Sequence, residues 1–506
     1  MKSGGGKIRM PSLANRIRSR SVITRLAPLL LPAVWFLLAG CMVGPDFHRP
    51  KSDPPGAYTG VTAGATREPS VTTGEPARLI DWWKAFDDPV LTSLIERAIT
   101  ANLDVRQAQA RIRQARATRG VAASGLFPEI DAGASYNYSR GSPGTVSSSG
   151  GGTTAAGAAA TPRELFQVGF DASWELDFFG GTRRNIEASD ADLKAAVEDR
   201  RDVLVSMAAE VGTEYVTLRG LQAQLLIARK NLASQKHTAG ITRKRWQAGF
   251  VSALDVANAD AQASTTEAQI PILESSIRAT IYSLGLLLAQ PPAALLDELS
   301  DDGPIPPIPP EVPVGLPSDL IRRRPDIRRT EAQVHAATAR IGVATADLFP
   351  KFALTGSMGL MSADLNTLAN LSNRFWSLGP TVSWPIFTAG RIQCNIEVQN
   401  AVQEQTLLAY DKTILTALKD VETALTAYAK EQEHNRSLTE AVAHNRKAVD
   451  LSMRLYLVGK IDFLNVLNAQ RSLYLTEEGL ALSNRTLTTN LIALYKALGG
   501  GWERES

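Results

Sequence analysis

The stretch FQVGFDASWELDFFG, residues 166–180, has an apolar side chain at every second position from Phe166 to Phe178. The residues between them are glutamine, glycine, serine, aspartate and glutamate. Side chains of a strand point alternately to opposite faces of a sheet. The pattern therefore predicts a strand with one apolar face and one acidic face.

The same alternation recurs, and it predicts four strands at about 129–139, 164–179, 351–361 and 374–387. Each is long enough to cross an outer membrane, which takes about 9–11 tilted residues. The polar faces would line a wet interior, and the acidic candidates for this barrel lumen are Asp131, Asp171, Glu175 and Asp177. A soluble antiparallel sheet with one buried face would show the same alternation.

Four strands do not close into a barrel, and lipid does not tolerate an open sheet edge. If the strands span a membrane, several copies of the chain must therefore share one barrel. Two copies would supply eight strands and three would supply twelve.

Outside the strands, the chain lacks helix breakers over unusually long stretches. The two longest predicted helices cover about 62 residues each, which at 1.5 Å per residue extend roughly 93 Å. Apolar residues at heptad-like spacing favour coiled-coil packing. The predicted helices are about 91–124, 185–247, 253–289, 318–346, 395–457 and 463–498.

The chain is an internal duplication. SWELDFFG at 173–180 matches SWPIFTAG at 383–390, and AGFVSALDVANA at 248–259 matches VGKIDFLNVLNA at 458–469, both 210 positions apart. GLFPEI at 125–130 matches DLFPKF at 347–352, and the larger separation reflects a Gly/Ser/Ala/Thr-rich loop at 139–162. The predicted segments are a signal peptide 1–40, a lipidated extended segment 41–80, repeat 1 at 81–300, a proline-rich linker 301–317, repeat 2 at 318–499 and a tail 500–506.

The N-terminus has a basic stretch, an apolar run at 26–39 and then Gly40 and Cys41, an order typical of a secretory signal. LLAGC at 37–41 resembles a lipobox, where a bacterial lipoprotein is diacylated on cysteine and cut before it. In such lipoproteins an aspartate directly after the cysteine favours retention in the inner membrane. Met42 stands there in this chain, so the resemblance implies the outer membrane. An ordinary signal peptide with an incidental cysteine is the alternative.

Composition argues against several other function classes. A net charge of +3 with 21% charged residues gives no case for nucleic-acid binding. The five histidines are scattered without metal-ligand spacing, and no nucleophile or phosphate-loop motif occurs. The sequence therefore predicts no catalytic site, no metal and no cofactor.

Taken together, these segments resemble the TolC-like outer-membrane efflux channels, in the lipoprotein subfamily that serves tripartite resistance-nodulation-division pumps. The motifs that carry the resemblance are LLAGCMVGPDFHRP (37–50), DWWKAFDDPVLTSLIERAI (81–99), LPSDLIRRRPDI (316–327), FTAGR (387–391) and LYKALGGGW (494–502). The resemblance implies a mixed α and membrane β fold. Three chains would form a 12-stranded transmembrane β-barrel, four strands from each, continued by a long periplasmic α-helical coiled-coil barrel.

The resemblance also implies partners and sites. The homotrimer would contact outer-membrane lipid, a periplasmic membrane-fusion adaptor protein and, through the adaptor, an inner-membrane pump. Cys41 would carry the lipid, and the helix turns at Gly249 and Gly459 would meet the adaptor. Candidates for a closed aperture near these turns are Asp255, Asp450 and Asp462, with Arg243, Arg245 and Arg454 as latch partners.

Two other functions are compatible with parts of the sequence. An adhesin-like or structural coiled-coil lipoprotein without channel activity would also have long helices, but it needs no strands in the middle of the chain. A periplasmic adaptor would have helical hairpins, but it would carry lipoyl-like and barrel β-domains around a single hairpin. The duplicated strand pairs favour a passive conduit for drugs or other small molecules.

Overall fold

The computed structural model describes residues 42–51, 55–59, 71–73, 79–140 and 162–502. The predicted signal peptide, Cys41 and most of the predicted loop 139–162 lie outside these residues. The strands are β1 Val71–Thr73, β2 Glu129–Ser139, β3 Arg163–Leu176, β4 Glu311–Pro313, β5 Lys351–Ser362 and β6 Arg374–Ser383. The α-helices are α1 Pro89–Ala101, α2 Leu103–Ser124, α3 Gly181–Gln247, α4 Ala253–Leu287, α5 Leu296–Leu299, α6 Pro317–Arg323, α7 Pro325–Ala346, α8 Arg391–Leu457 and α9 Phe463–Ala497.

The chain divides into two compact units, and each unit draws on both repeats. The sheet unit comprises Met1–Phe47, Arg119–Ser189 and Ala337–Val402. The helical unit comprises His48–Thr118, Asp190–Ala336 and Gln403–Ser506.

The sheet unit contains one antiparallel sheet of four strands in the order β2-β3-β5-β6. Asp131 is directly opposite Asp171, which is opposite Ser357, and Ser357 is opposite Ser377. A polar row therefore crosses all four strands. The neighbouring row on the other face is apolar and consists of Ala132, Phe170, Met358 and Trp376.

Two strands end earlier than the alternation predicts. β3 ends at Leu176 because the chain turns there, with Phe178 N–H donating to the Leu176 carbonyl at 2.8 Å and Gly180 at φ +80°. β6 ends at Ser383 because this residue pairs with Lys351, the first residue of β5, and the partner strand extends no further. The predicted ends at 179 and 387 were therefore too late.

The helices repeat the duplication in their lengths. α3 and α8 both have 67 residues, α4 and α9 both have 35, and α2 and α7 both have 22. α3 and α8 begin four residues before the starts predicted at 185 and 395. In the described ranges, no helix combines the length and the hydropathy needed to cross a membrane.

The segments predicted as continuous helices at 91–124 and 318–346 are each interrupted. Asn102 separates α1 from α2, and its side-chain oxygen accepts from the N–H groups of Asp104 and Val105 at 2.9 and 3.1 Å, which caps α2. Arg324 separates α6 from α7 because Pro325 disfavours a helical backbone in the residue before it.

Packed aromatic rings and the buried Arg219 stabilise the helical unit. Trp82, Trp83 and Phe86 are buried, and Trp82 stacks on Tyr495 with ring centroids 5.4 Å apart. Arg219 donates to the Asp301 carbonyl at 2.8 Å and so holds the start of the proline-rich linker.

Candidate functional site

The turn between α3 and α4, which we call tip 1 (residues 248–252), is a Schellman motif. The Phe250 N–H donates to the Arg245 carbonyl and the Gly249 N–H to the Trp246 carbonyl, both at 2.8 Å. Gly249 has φ +79°, a backbone conformation that favours glycine. The glycine therefore stops α3, whose last residue is Gln247, and lets the chain reverse its direction.

The turn between α8 and α9, tip 2 (residues 458–462), has the same geometry. The Lys460 N–H donates to the Leu455 carbonyl at 2.9 Å and the Gly459 N–H to the Tyr456 carbonyl at 3.0 Å. Gly459 has φ +74°. Tips 1 and 2 are thus two copies of one motif, as the sequence repeat predicts.

The two tips differ in how they start the returning helix. In tip 1, Asp255 Oδ2 accepts from the Ser252 N–H at 3.0 Å, while the Asp255 N–H donates to Ser252 Oγ at 3.2 Å. This is a capping box, so the aperture candidate Asp255 has a local structural role. In tip 2, the aperture candidate Asp462 occupies the N-cap position of α9 but makes no side-chain cap hydrogen bond.

The remaining charged candidates form short ion pairs. Asp450 pairs with Arg454 one turn later on α8 at 2.8 Å, and the two side chains are 59% and 73% exposed. Arg243 pairs at 2.8 Å with Asp260 of α4, a residue that the sequence did not single out. Two of the three predicted latch arginines are therefore paired within the chain.

Arg245 joins the C-terminal end of α3 to that of α8, next to the two tips. Its Nη1 donates to the carbonyls of Tyr456 and Leu457 at 2.8 and 3.0 Å, and its guanidinium lies 4.6 Å from the centroid of the Tyr456 ring. A cation at the C-terminal end of α8 interacts favourably with the helix dipole. Arg245 thus binds backbone and an aromatic ring, whereas the sequence predicted a carboxylate partner.

The tips rest on a small apolar cluster and expose further apolar side chains. The cluster, here the tip core, consists of Ala239, Ala259, Tyr456, Phe463, Val466 and Leu467. Phe250 and Leu254 at tip 1 are 74% and 68% exposed, and Val458 and Leu464 at tip 2 are 67% and 57% exposed. Exposed apolar side chains grouped on a turn are typical of a protein-binding surface.

Three of the four lumen candidates lie on the polar rows of the sheet. Asp131 and Asp171 face each other across β2 and β3, and Glu175 is opposite Ala353. Asp177 follows the end of β3, and its Oδ2 accepts from the Arg183 N–H at 2.9 Å and from Arg183 Nε at 3.2 Å. The prediction that Asp177 belongs to the strand was therefore wrong, because the chain has already turned towards α3.

Cys41 lies outside the described residues, so its proposed modification stays a prediction. Among the residues that the structure does describe, no group of three or more His, Cys, Asp or Glu side chains is arranged to hold a metal ion.

Comparisons with known proteins match nearly the whole chain. The model of the family described as "Outer membrane efflux protein" matches residues 94–290 and 316–500, which correspond to the two repeats. The pyoverdine export outer membrane protein OpmQ of Pseudomonas aeruginosa is 34% identical over 436 residues, covering 84% of this chain and 88% of that protein. Nodulation protein T of Rhizobium leguminosarum bv. trifolii is 31% identical over 472 residues, covering 93% and 97%.

Solved structures agree with this match. The outer-membrane channel OprN superposes with a TM-score of 0.83 at 34% identity, covering 91% of this chain and 100% of that one. The open state of the Neisseria gonorrhoeae MtrE outer membrane channel superposes with a TM-score of 0.75 at 26% identity, covering 92% and 99%. Both likenesses extend over the sheet and the long helices.

Proposed function

The chain belongs to the outer membrane efflux protein family and is an outer-membrane channel component of an efflux system, and we propose that three copies form one passive conduit. Its fold class is that of the TolC-like channels, in which long helices accompany a membrane sheet. The proposed conduit carries drugs or other small molecules to the outside, and a partner supplies the energy.

The observation that carries this proposal is the sheet. β2 and β6 are its two edges, and among the described strands neither edge has a further partner. Unpaired edges are not stable in lipid, so β2 of one copy would pair with β6 of the next. Three copies give twelve strands, and the family supports this number over two.

A polar lumen follows from the register of the same sheet. Asp131, Asp171 and Glu175 would face water inside the barrel, whereas the row containing Phe170 and Trp376 would face lipid. Rings of carboxylates repeated around a threefold axis favour cations over anions.

The two tips are proposed to bind the periplasmic adaptor, which would connect the channel to an inner-membrane pump of the resistance-nodulation-division type. Gly249 and Gly459 shape these turns, and Phe250, Leu254, Val458 and Leu464 give them exposed apolar surface. Adaptor binding would bury this surface. The chain itself would have no catalytic role.

Closure of the channel is proposed to involve charged residues near the tips. Asp450 and Asp462 are the candidates that are not engaged in a capping box, and Arg454 pairs with the first of them. Lipidation of Cys41 would hold the chain in the outer membrane in addition to its strands.

Single-channel conductance in planar bilayers tests the conduit. The purified protein should give a small cation-selective conductance, and its particles should have the mass of a trimer. Proper trimers without conductance, in both the parent and the Asp450→Asn variant, would instead favour a structural coiled-coil lipoprotein.

A further inference from the structure

Residues 42–46, directly after Cys41, make specific hydrogen bonds within the sheet unit. The Val43 N–H donates to the Phe179 carbonyl at 3.1 Å, next to the end of β3. Arg184, in the first turn of α3, donates from Nε to the Val43 carbonyl at 3.2 Å and from Nη2 to the Gly44 carbonyl at 3.4 Å. The segment is thus held mainly through its backbone.

Arg184 is itself fixed by two carboxylates. Its Nη2 donates to Asp46 Oδ1 at 2.7 Å and its Nη1 to Glu187 Oε2 at 2.8 Å, while its side chain is only 2% exposed. Nε, Nη1 and Nη2 of the buried guanidinium thus all have acceptors. Its side chain is therefore held in the orientation that binds the segment. A lysine has one donor centre and cannot replace this set of contacts.

Glycines give the segment the space that it needs. A Cβ on Gly180 would lie 2.7 Å from Met42 Cγ, and one on Gly44 would lie 2.4 Å from Gly342 Cα. A Cβ on Gly342 would lie 2.8 Å from Arg184 Cγ. Cβ atoms essentially never approach other atoms this closely, so a side chain at any of the three positions would force Met42, the backbone at Gly342 or Arg184 to shift.

The arginine and the closely packed glycines have no counterpart at the matching positions of the other repeat. The position matching Arg184 is Cys394, which is exposed. Gly390 and Gly120 match Gly180 and Gly342, and a Cβ on either would have no neighbour within 4 Å. The arginine and the covered glycines thus occur only where the N-terminal segment passes.

We propose that Gly180, Arg184 and Gly342, here the N-terminal clamp, are an internal binding site for residues 42–46 that holds the chain's anchored end beside the end of β3. A lipid on Cys41 would then enter the membrane next to the sheet of its own chain. Arg184 acts as a positioning residue. The part of the inference that concerns the lipid rests on the proposed modification of Cys41.

Thiol labelling of Val43→Cys tests the clamp in the full-length protein, in a Cys394→Ser background. A lipidated Cys41 has no free thiol but an unlipidated one does, so labelling is read at residue 43 alone, by mass spectrometry of the N-terminal peptide. Val43 contributes its backbone to the clamp and its side chain is half-buried, so the reporter leaves the contacts in place. We expect slow maleimide labelling in the parent. Arg184→Ala removes three hydrogen bonds to residues 43–46 and should accelerate labelling by at least about tenfold, the effect of losing one charge-assisted hydrogen bond. Arg184→Lys should restore slow labelling only in part.

Gly180→Ala and Gly390→Ala form a matched pair, because both glycines have nearly the same φ, +80° and +83°. Backbone strain is therefore similar, and only Gly180→Ala should accelerate labelling. Equal labelling rates in all variants, or equal acceleration by Gly390→Ala and Gly180→Ala, would overturn the proposal.

The mass of the N-terminal peptide separates the two claims. If Cys41 carries no lipid but labelling still depends on Arg184, the clamp stands and the anchor proposal fails. If Cys41 is lipidated and labelling is independent of Arg184, the anchor stands and the clamp fails.

Discussion

Trp174 donates its indole N–H to the carbonyl of Leu126 at 2.9 Å, and Trp384 makes the same bond to Leu348 at 3.1 Å. Each leucine directly precedes the Phe-Pro pair of its repeat, and each tryptophan belongs to the Ser-Trp pair of the same repeat. Each repeat thus has the same contact between its Phe-Pro motif and its Ser-Trp motif. It connects the segment that enters the first strand of each repeat with the end of the second strand.

We predict that Trp174→Phe lowers the stability of the sheet unit by about 1 kcal/mol, the usual net value of one hydrogen bond. Trp384→Phe should cost less, because Trp384 is 58% exposed and Trp174 is 36% exposed. Thermal unfolding midpoints of the purified variants in detergent rank these losses of stability. Trp376→Phe is the control, since Trp376 is 77% exposed on the apolar face, and its midpoint should be unchanged. A larger effect at Trp376 than at Trp174 would contradict the interpretation.

The strands and long helices could be predicted because they depend on local patterns. Alternation places the polar row of Asp131 and Asp171, and the absence of proline and glycine allows the 67-residue α8. The ends of elements were less predictable. β3 stops at Leu176 although the alternation continues to Phe178, because Gly180 and Arg183 redirect the chain.

The contacts at the tips could not be predicted, because they join residues about 200 positions apart. Nothing in the sequence near Arg245 indicates that it binds the Tyr456 and Leu457 carbonyls. The residues after Asp255 do not show whether it caps α4 or contributes to a gate. Only Ser252 three positions earlier, the first residue of a capping box, could have identified its role.

Asp450→Asn should raise single-channel conductance without lowering the unfolding midpoint. Its pair with Arg454 is exposed, and such pairs on a helix contribute only about 0.3–0.5 kcal/mol. A conductance change would therefore report on the aperture and not on unfolding. Glu433→Gln is the matched control because it removes another exposed ion pair of the same length on α8, that with Lys430, and neither residue is an aperture candidate. Equal conductance changes in both variants would exclude Asp450 as a specific gate residue.

Ser252→Ala should destabilise tip 1 by about 1 kcal/mol, because it removes the side-chain cap of α4. Hydrogen exchange of the amides at 253–256 should become faster, and those at 463–466 should be unaffected. Asp462→Ala is the comparison at tip 2, where no side-chain cap hydrogen bond exists, and it should change exchange there much less. Similar effects at both tips would show that the capping box contributes nothing particular to tip 1.

Arg245→Ala should loosen the C-terminal end of α8. The guanidinium satisfies two carbonyls and covers the Tyr456 ring, and charge-assisted hydrogen bonds contribute about 1.5–3 kcal/mol. Faster hydrogen exchange at residues 455–460, with unchanged exchange in the sheet, is the expected result. Arg243→Ala removes only an exposed ion pair and should leave exchange at 455–460 as it is. Unchanged exchange in Arg245→Ala would mean that the two tips are held together by the tip core alone.

Asp199 and Asp202 share one arginine but differ in their surroundings. Arg329 Nη1 donates to Asp199 Oδ1 at 2.8 Å and to Asp202 Oδ2 at 3.1 Å. Burial raises the pKa of Asp202, and this effect outweighs the opposing charge of Arg329, with Asp326 adding to the rise. Asp199 also accepts from Arg111 at 3.4 Å.

A carboxyl group with a raised pKa binds its proton more tightly in the folded protein than in the unfolded chain. Its contribution to stability is therefore present below the usual carboxyl pKa of about 4 and is lost as the pH rises through the raised value. Asp202→Asn should raise the unfolding midpoint at pH 7 relative to the parent, and this advantage should shrink as the pH falls to about 4. Asp199→Asn should lower the midpoint at pH 7, since it removes the negative charge that pairs with both Arg329 and Arg111. If Asp202→Asn instead lowers the midpoint at pH 7 as much as Asp199→Asn does, the pair with Arg329 outweighs the cost of burying the charge.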